Sequence, residues 1–260
     1  MEEIKDIFYL PIESELEVFD HTYKNNLPLL LKGPTGCGKS RYVEYCARKY
    51  NASLITVSCN EDTSASALIG RYIFKDSNVE WIDGPVSRAV RTNSILYLDE
   101  ITEAREDVTV LIHSLTDHRR TLFIDKTNEQ LKASNNFQLI VSYNPSYQRG
   151  FKQLKPSTTQ RFVAINFNYP NMILETQIVS AEAKIDMKMA EKLVLFARHI
   201  RTLSELNLAE TVSTRLIINT AKLISSGVNH RLAVMVGMTN PLSDDLDISH
   251  SLNDLVSLKF

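Results

Sequence analysis

The chain predicts an α/β fold, a parallel five-stranded sheet between helices, followed by a smaller helical domain. Three observations predict it. Between residues 26 and 168, short runs that are apolar at nearly every position alternate with helical stretches. Such runs are buried on both faces, as strands of a parallel sheet between two helical layers must be. After Pro170 these runs stop, and apolar residues recur at helical spacing instead. A glycine-rich turn also stands between the first strand-like run and the first helix that follows it. The joint falls near Tyr169-Pro170-Asn171, which assigns residues 1–169 to the α/β domain and 170–260 to the helical one.

The strands read in order as 27–31 (LPLLL), 53–59 (SLITVSC), 95–98 (ILYL), 137–142 (FQLIVS) and 163–167 (VAINF). A helix over 40–49 follows the first of them. Residues 71–74 and 79–82 can pair as a small hairpin across Asp76-Ser77-Asn78. Residues 122–131 (LFIDKTNEQL) read as a second hairpin with a polar tip at 126–128, just before the fourth strand. In the helical part, Met189, Leu193, Phe196, Ala197, Ile200 and Leu203 share one face. Leu216, Ile217, Ala221 and Ile224 repeat the pattern on a later helix, for which Ser213 is a fitting N-cap.

Composition narrows the function. With 260 residues, 43% hydrophobic and 23% charged, the chain can bury one large core or two small ones, and disorder is excluded. Twenty-nine basic against 31 acidic residues leave no global positive field, so nucleic acid is not an expected partner, although a local basic patch stays open. Cys37, Cys46 and Cys59 are odd in number and lack C-x-x-C spacing, which suggests neither a disulfide framework nor a zinc site. No apolar run approaches membrane-span length, and the opening MEEIKDIFYL is acidic rather than basic-then-apolar. The expectation is a soluble, cytoplasmic protein without membrane insertion.

Gly33-Pro34-Thr35-Gly36-Cys37-Gly38-Lys39-Ser40 matches G-x-x-x-x-G-K-[ST] in full, after a strand and before a helix. Its glycines let backbone N–H groups turn inward around phosphate oxygens, and the helix N-terminus adds the positive end of its dipole. Lys39 is then placed for the β- and γ-phosphates of ATP, and Ser40 for Mg²⁺. The third strand ends in Asp99-Glu100, at the carboxyl edge where open α/β sheets hold ligands. Asp99 suits the Mg²⁺ shell, and Glu100 suits a general base polarising water, a hydrolase rather than a kinase pattern. The plain alternatives are a structural glycine turn and a solvated acidic pair. Finding both motifs at strand ends favours the nucleotide site.

With these motifs in this order, residues 12–260 resemble the AAA+ ATPases, and more narrowly the CbbQ/NorQ/NirQ branch of the MoxR group. The resemblance implies further roles. Asn144, in Ser142-Tyr143-Asn144-Pro145, looks like sensor 1, which contacts the γ-phosphate or the lytic water; a turn-forming Asn-Pro is the alternative. Arg161, in Gln160-Arg161-Phe162, is similar to the arginine finger supplied to a neighbouring subunit; the alternative is a surface arginine paired with a carboxylate. Arg215, in Val212-Ser213-Thr214-Arg215, looks like sensor 2 on the lid domain, against an ordinary exposed helix arginine. Leu68-Ile69-Gly70-Arg71-Tyr72 lies where the family places a loop facing the ring's pore, with packing of that loop as the alternative. Cys37 is either an oxidation-sensitive switch or a small side chain filling the turn. Relatives often carry glycine in place of Ser146, glycine near Thr127-Asn128-Glu129, and a basic residue near Thr159. These departures bear on the client rather than on ATP.

The resemblance therefore implies a ring, expected to be a hexamer, in which ATP hydrolysis remodels or activates a partner enzyme. Its expected partners are an adaptor bearing a von Willebrand factor A domain and a client that is nitric oxide reductase or Rubisco. The competing readings are a nucleic-acid motor or clamp-loader-like protein and a nucleotide-gated scaffold.

Overall fold

The structure, a computed structural model, describes residues 7–145, 154–203 and 210–260. The chain divides into two compact units. The first takes in Glu13–Gly33 and Lys39–Phe167; the second takes in Phe8–Ile12, Pro34–Gly38 and Asn168–Phe260.

The first unit is built on five strands: β1 (Leu29–Lys32), β2 (Leu54–Ser58), β5 (Ile95–Asp99), β8 (Gln138–Tyr143) and β9 (Val163–Asn166). Their order is β2-β5-β8-β1-β9, and every pairing is parallel. The central strands are the most buried, and the edge strands β2 and β9 only partly so. Leu29, Leu30 and Leu31 are fully buried, and all six residues of β8 are buried. Helices α1 (Glu15–Lys24), α2 (Lys39–Lys49), α3 (Ala65–Ile69), α4 (Pro85–Thr92), α5 (Glu106–Thr116) and α6 (Pro156–Thr159) complete the unit. Pro85 starts α4, where its missing N–H costs nothing, and Asn93 ends it in the left-handed region.

Two antiparallel hairpins stand off the sheet. β3 (Gly70–Lys75) pairs with β4 (Asn78–Asp83), with Tyr72 opposite Trp81 and Phe74 opposite Val79. β6 (Thr121–Ile124) pairs with β7 (Glu129–Lys132). At the second tip Asn128 adopts φ +52°, a conformation that asparagine tolerates better than most residues. The Tyr72 hydroxyl donates to the Lys126 carbonyl at 2.9 Å, joining the two hairpins.

The second unit is helical among its described residues: α7 (Met172–Ala183), α8 (Met187–Thr202), α9 (Thr214–Ser225), α10 (His230–Val234) and α11 (Leu246–Lys259). Asn171, Asp186, Ser213, Asn229 and Asp245 each accept a backbone N–H from the first turn of the helix they precede. The predicted faces meet in one core with Leu193, Ala197, Ile200, Ile217 and Ala221 at its centre. A π-helical stretch, Met235–Thr239, is the feature periodicity did not announce. It brings Gly237 so close to α9 that a β-carbon there would lie 2.5 Å from the Thr220 hydroxyl. Among the described residues, no helix is long and apolar enough to cross a membrane.

Candidate functional site

The site is assembled in the first unit at the carboxyl ends of β1, β5 and β8. Register does the first part of the work: Leu98 on β5 lies opposite Val141 on β8, and Lys32 on β1 lies opposite Tyr143. One more step along each strand leads to Asp99, Asn144 and Gly33 together at one edge of the sheet. The Gly33 N–H donates to the Tyr143 carbonyl at 3.3 Å, so the glycine-rich turn leaves the sheet tied to β8. Gly33 has no room for a side chain, since a β-carbon would come within 2.4 Å of the Phe167 carbonyl.

Asp99 is oriented by its neighbours. Its Oδ1 accepts from the Tyr97 hydroxyl at 2.7 Å and from the Ser142 hydroxyl. With that oxygen engaged, Oδ2 is the one that accepts from Ser40 Oγ, at 3.3 Å. A hydroxyl and a carboxylate oxygen thus stand side by side, both hard donors of the kind Mg²⁺ takes one or two of when phosphate oxygens complete its shell. Burial, followed by the Asp99 charge, keeps the Tyr97 phenol protonated well above its ordinary range, so it remains a donor.

Lys39, only 6% exposed, donates from Nζ to the Gly33 carbonyl at 2.7 Å. Its ammonium is thereby held over the start of the turn rather than in solvent. Glu100 adopts φ +53° and ψ +52°, a left-handed conformation that costs a non-glycine residue about 1–3 kcal/mol and is typical of functional turns. Its backbone N–H donates to Ser142 Oγ at 3.3 Å. Burial raises the pKa of its carboxyl; the Lys39 charge opposes that shift, the Asp99 charge adds to it, and a hydrogen bond from the Asn144 backbone opposes it. A carboxylate at once half-buried, near a cation and raised in pKa has the makings of a general base.

The predicted residues Gly33, Lys39, Ser40, Asp99, Glu100 and Asn144 therefore meet, with Asn144 buried. Arg161 does not join them through any described contact. It is exposed and donates from Nε to the Ser157 carbonyl at 3.2 Å, and its charge is felt at His113, whose pKa is lowered mainly by burial. Leu68 and Ile69 pack into the core, while Arg71 and Tyr72 are exposed and Phe74 is 76% exposed at the hairpin end. Ser146 lies outside the described residues.

The rest of the glycine-rich turn, Pro34, Thr35, Gly36, Cys37 and Gly38, packs within the second unit. Gly36 and Gly38 have φ of +68° and +104°, left-handed values that favour glycine. A β-carbon on Gly36 would sit 2.7 Å from Ser213 Cβ and 3.1 Å from Arg215 Cβ, so this glycine lets the turn abut the start of α9. Arg215 itself is exposed. Thr35 donates from Oγ1 to Glu210 at 2.8 Å, and its carbonyl accepts from the Tyr169 hydroxyl at 3.1 Å. Burial pushes the Tyr169 phenol up to about 12, which keeps that proton in place. Cys37 is buried, as its packing alternative requires.

Sequence reasoning passed over Tyr97, Ser142, Tyr169 and Glu210. Tyr97 left a signal: a phenol two residues before Asp99 on a strand shares its face. Ser142 stood in a quoted motif, but its partner Asp99 becomes visible only through the β5–β8 register.

Comparison with known proteins places this arrangement. Residues 28–162 match the AAA domain of the dynein-related subfamily, and residues 175–259 match the CbbQ/NirQ/NorQ C-terminal family. The chain is 48% identical to Protein NorQ of Paracoccus denitrificans over 253 residues, covering 97% of this chain and 94% of that one. It is 46% identical to the denitrification regulatory protein NirQ of Stutzerimonas stutzeri, covering 97% and 92%. Among solved structures, a RuvB variant of Thermotoga maritima superposes with a TM-score of 0.58 at 15% identity, covering 94% of this chain and 69% of that one, a likeness of fold alone. With a two-part match along its length and relatives this close, the chain belongs to the CbbQ/NirQ/NorQ family of AAA+ ATPases.

Proposed function

We propose that this protein is a ring-forming ATPase that spends ATP hydrolysis on remodelling or activating a partner enzyme. The observation that carries the reading is the convergence of Lys39, Ser40, Asp99, Glu100 and Asn144 at one edge of the parallel sheet. In this reading the backbone of Gly33 to Gly38 wraps the phosphates, and Lys39 exchanges its bond to the Gly33 carbonyl for the β- and γ-phosphate oxygens. Ser40 and Asp99 hold Mg²⁺, which when bound neutralises charge building on the phosphates. Glu100 takes the proton of the attacking water, and Asn144 orients that water or the γ-phosphate.

Arg161, exposed and with its side chain held at Nε by the Ser157 carbonyl, can turn its guanidinium toward a neighbouring subunit's site. A closed ring completes such a shared site at every interface, and we expect a hexamer. Residues 170–260 serve as the lid domain, with Arg215 reporting the nucleotide state. Membership of the NorQ and NirQ family supports a cytoplasmic role beside a von Willebrand factor A adaptor, with nitric oxide reductase or Rubisco as client.

The test is capture with tagged Glu100→Gln protein in ATP and Mg²⁺, with the bound proteins identified by mass spectrometry. An adaptor together with reductase or Rubisco subunits supports the reading and names the client. DNA-processing proteins, or strong stimulation of ATP turnover by DNA, would replace it with a nucleic-acid motor.

A further inference from the structure

Within the second unit, a single guanidinium organises the phosphate turn and the helix that carries Arg215. Arg201 on α8 forms two 2.8 Å hydrogen bonds to Glu175 on α7, one to each carboxylate oxygen. Glu175 is completely buried, and the Thr214 hydroxyl adds a 2.6 Å bond to its Oε1. Such a paired, hydrogen-bonded charge does not wander, because any displacement leaves a carboxylate unsolvated. The remaining edge of Arg201 is used as well: Nε donates to the Val212 carbonyl at 2.7 Å, one residue before the N-cap Ser213. The flat face of the same group lies 4.1 Å from the centre of the Tyr169 ring. The Tyr169 hydroxyl, at the far end of that ring, donates to the Thr35 carbonyl.

The last bond matters because of peptide geometry. In a trans peptide the C=O and the following N–H lie on opposite edges of one rigid plane. The described residues contain no cis peptide bond. Holding the Thr35 carbonyl therefore fixes the Gly36 N–H on the opposite side. A phosphate turn works by presenting consecutive N–H groups to anionic oxygens, which requires its carbonyls to be kept out of the way.

We propose that Tyr169 and Arg201 are positioning residues for nucleotide binding: the buried Arg201–Glu175 pair sets the Tyr169 ring, and Tyr169 holds the Thr35–Gly36 peptide with its N–H turned to phosphate. The proposal rests on the reading of this turn as the ATP phosphate site. It also gives the turn and the start of α9 a common reference, since the same guanidinium fixes Val212.

The experiment is calorimetric titration of wild type, Tyr169→Phe and Arg201→Lys with ATP and separately with ADP, alongside thermal melts and steady-state kinetics. Tyr169→Phe keeps the stacked ring and loses only the hydroxyl. It is expected to weaken both nucleotides about three- to tenfold, the range of one hydrogen bond. The change should fall on KM more than on kcat and leave the melting temperature within about two degrees. Arg201→Lys keeps a charge for Glu175 but loses the fork and the stack, so it should weaken binding in the same direction. The double variant should be no worse than the weaker-binding single variant, because both act through one peptide. Wild-type affinity in a folded Tyr169→Phe protein would overturn the proposal, and so would a loss explained entirely by a lowered melting temperature. Lys39→Ala separates this from the parent reading: if that variant binds ATP like wild type, the turn is not the phosphate site, whatever Tyr169 does.

Discussion

Ser142 at the end of β8 donates its hydroxyl proton to the Asp99 carboxylate at the end of β5. The Ser142 Oγ in turn accepts the Glu100 backbone N–H. One small side chain therefore locks both halves of the acidic pair: the oxygen of Asp99 that turns away from Ser40, and the left-handed backbone of Glu100. Alanine at 142 would leave Asp99 Oδ1 with the Tyr97 hydroxyl alone and the Glu100 N–H without this partner. Ser142→Ala is expected to lower kcat about tenfold and raise the Mg²⁺ concentration needed for half-maximal rate, as measured by phosphate release across a Mg²⁺ series. An unchanged Mg²⁺ dependence would remove Ser142 from the positioning of Asp99.

Glu100→Gln should bind ATP and turn it over at least about a hundredfold more slowly, since removal of a general base typically costs that much. Near-wild-type turnover would remove Glu100 from the role.

Burial raises the pKa of the Glu100 carboxyl above its ordinary value, and a base must be ionised to act. The acid limb of kcat is therefore expected at higher pH than an ordinary glutamate would give. Linkage has the same sign. A carboxyl with a raised folded pKa contributes stability at low pH, and that contribution is lost as pH rises through the folded value. Relative to wild type, Glu100→Gln should gain melting temperature as pH increases from 4 to 8, a trend that melts at fixed ionic strength can check.

Arg161 and Lys39 make a complementation pair. Arg161→Ala and Lys39→Ala proteins should each be inactive alone. Mixed rings should regain part of the activity, because an intact turn in one subunit can meet an intact arginine from the next. The check is ATP hydrolysis across mixing ratios; no recovery in assembled rings would place the action of Arg161 within its own subunit.

The Glu175–Arg201 pair predicts a stability pattern. Glu175→Ala leaves a guanidinium facing an emptied, buried site and should cost about 3–5 kcal/mol. Replacing both residues by methionine removes the stranded charge, so the double variant should lose less than either single one in urea unfolding. Simple additivity would mean that the two charges do not compensate each other.

Strands, both hairpins and the N-cap at Ser213 were legible because each is written in contiguous residues. Apolar runs report two-faced burial, and an oxygen-bearing side chain before an apolar-periodic stretch reports a cap. The glycine-rich turn is readable for the same reason, since wrapping a phosphate in backbone N–H groups takes consecutive residues. Asp99-Glu100 could be read from its place at a strand end. The π-helical stretch was not legible, because packing against α9 decides it. Of the two readings open for the loop at Leu68 and Ile69, the tertiary contacts alone show these two side chains packed on the core.

Along the chain, then, lay the chemistry of phosphate, metal and base, each encoded in a few neighbouring residues. The geometry that makes these groups act on one another came from folding. Thr35 and Glu210 are 175 positions apart, and Glu175 and Arg201 are 26 apart. Nothing in charge spacing singles out Glu175 and Arg201 among the chain's 60 formal charges, which are 29 positive and 31 negative. Ser142 reaches Asp99 because β5 and β8 are neighbours in a strand order that departs from sequence order. A hydrogen bond depends on the distance between two atoms, and for residues far apart in the chain that distance is set by the packing of everything between them.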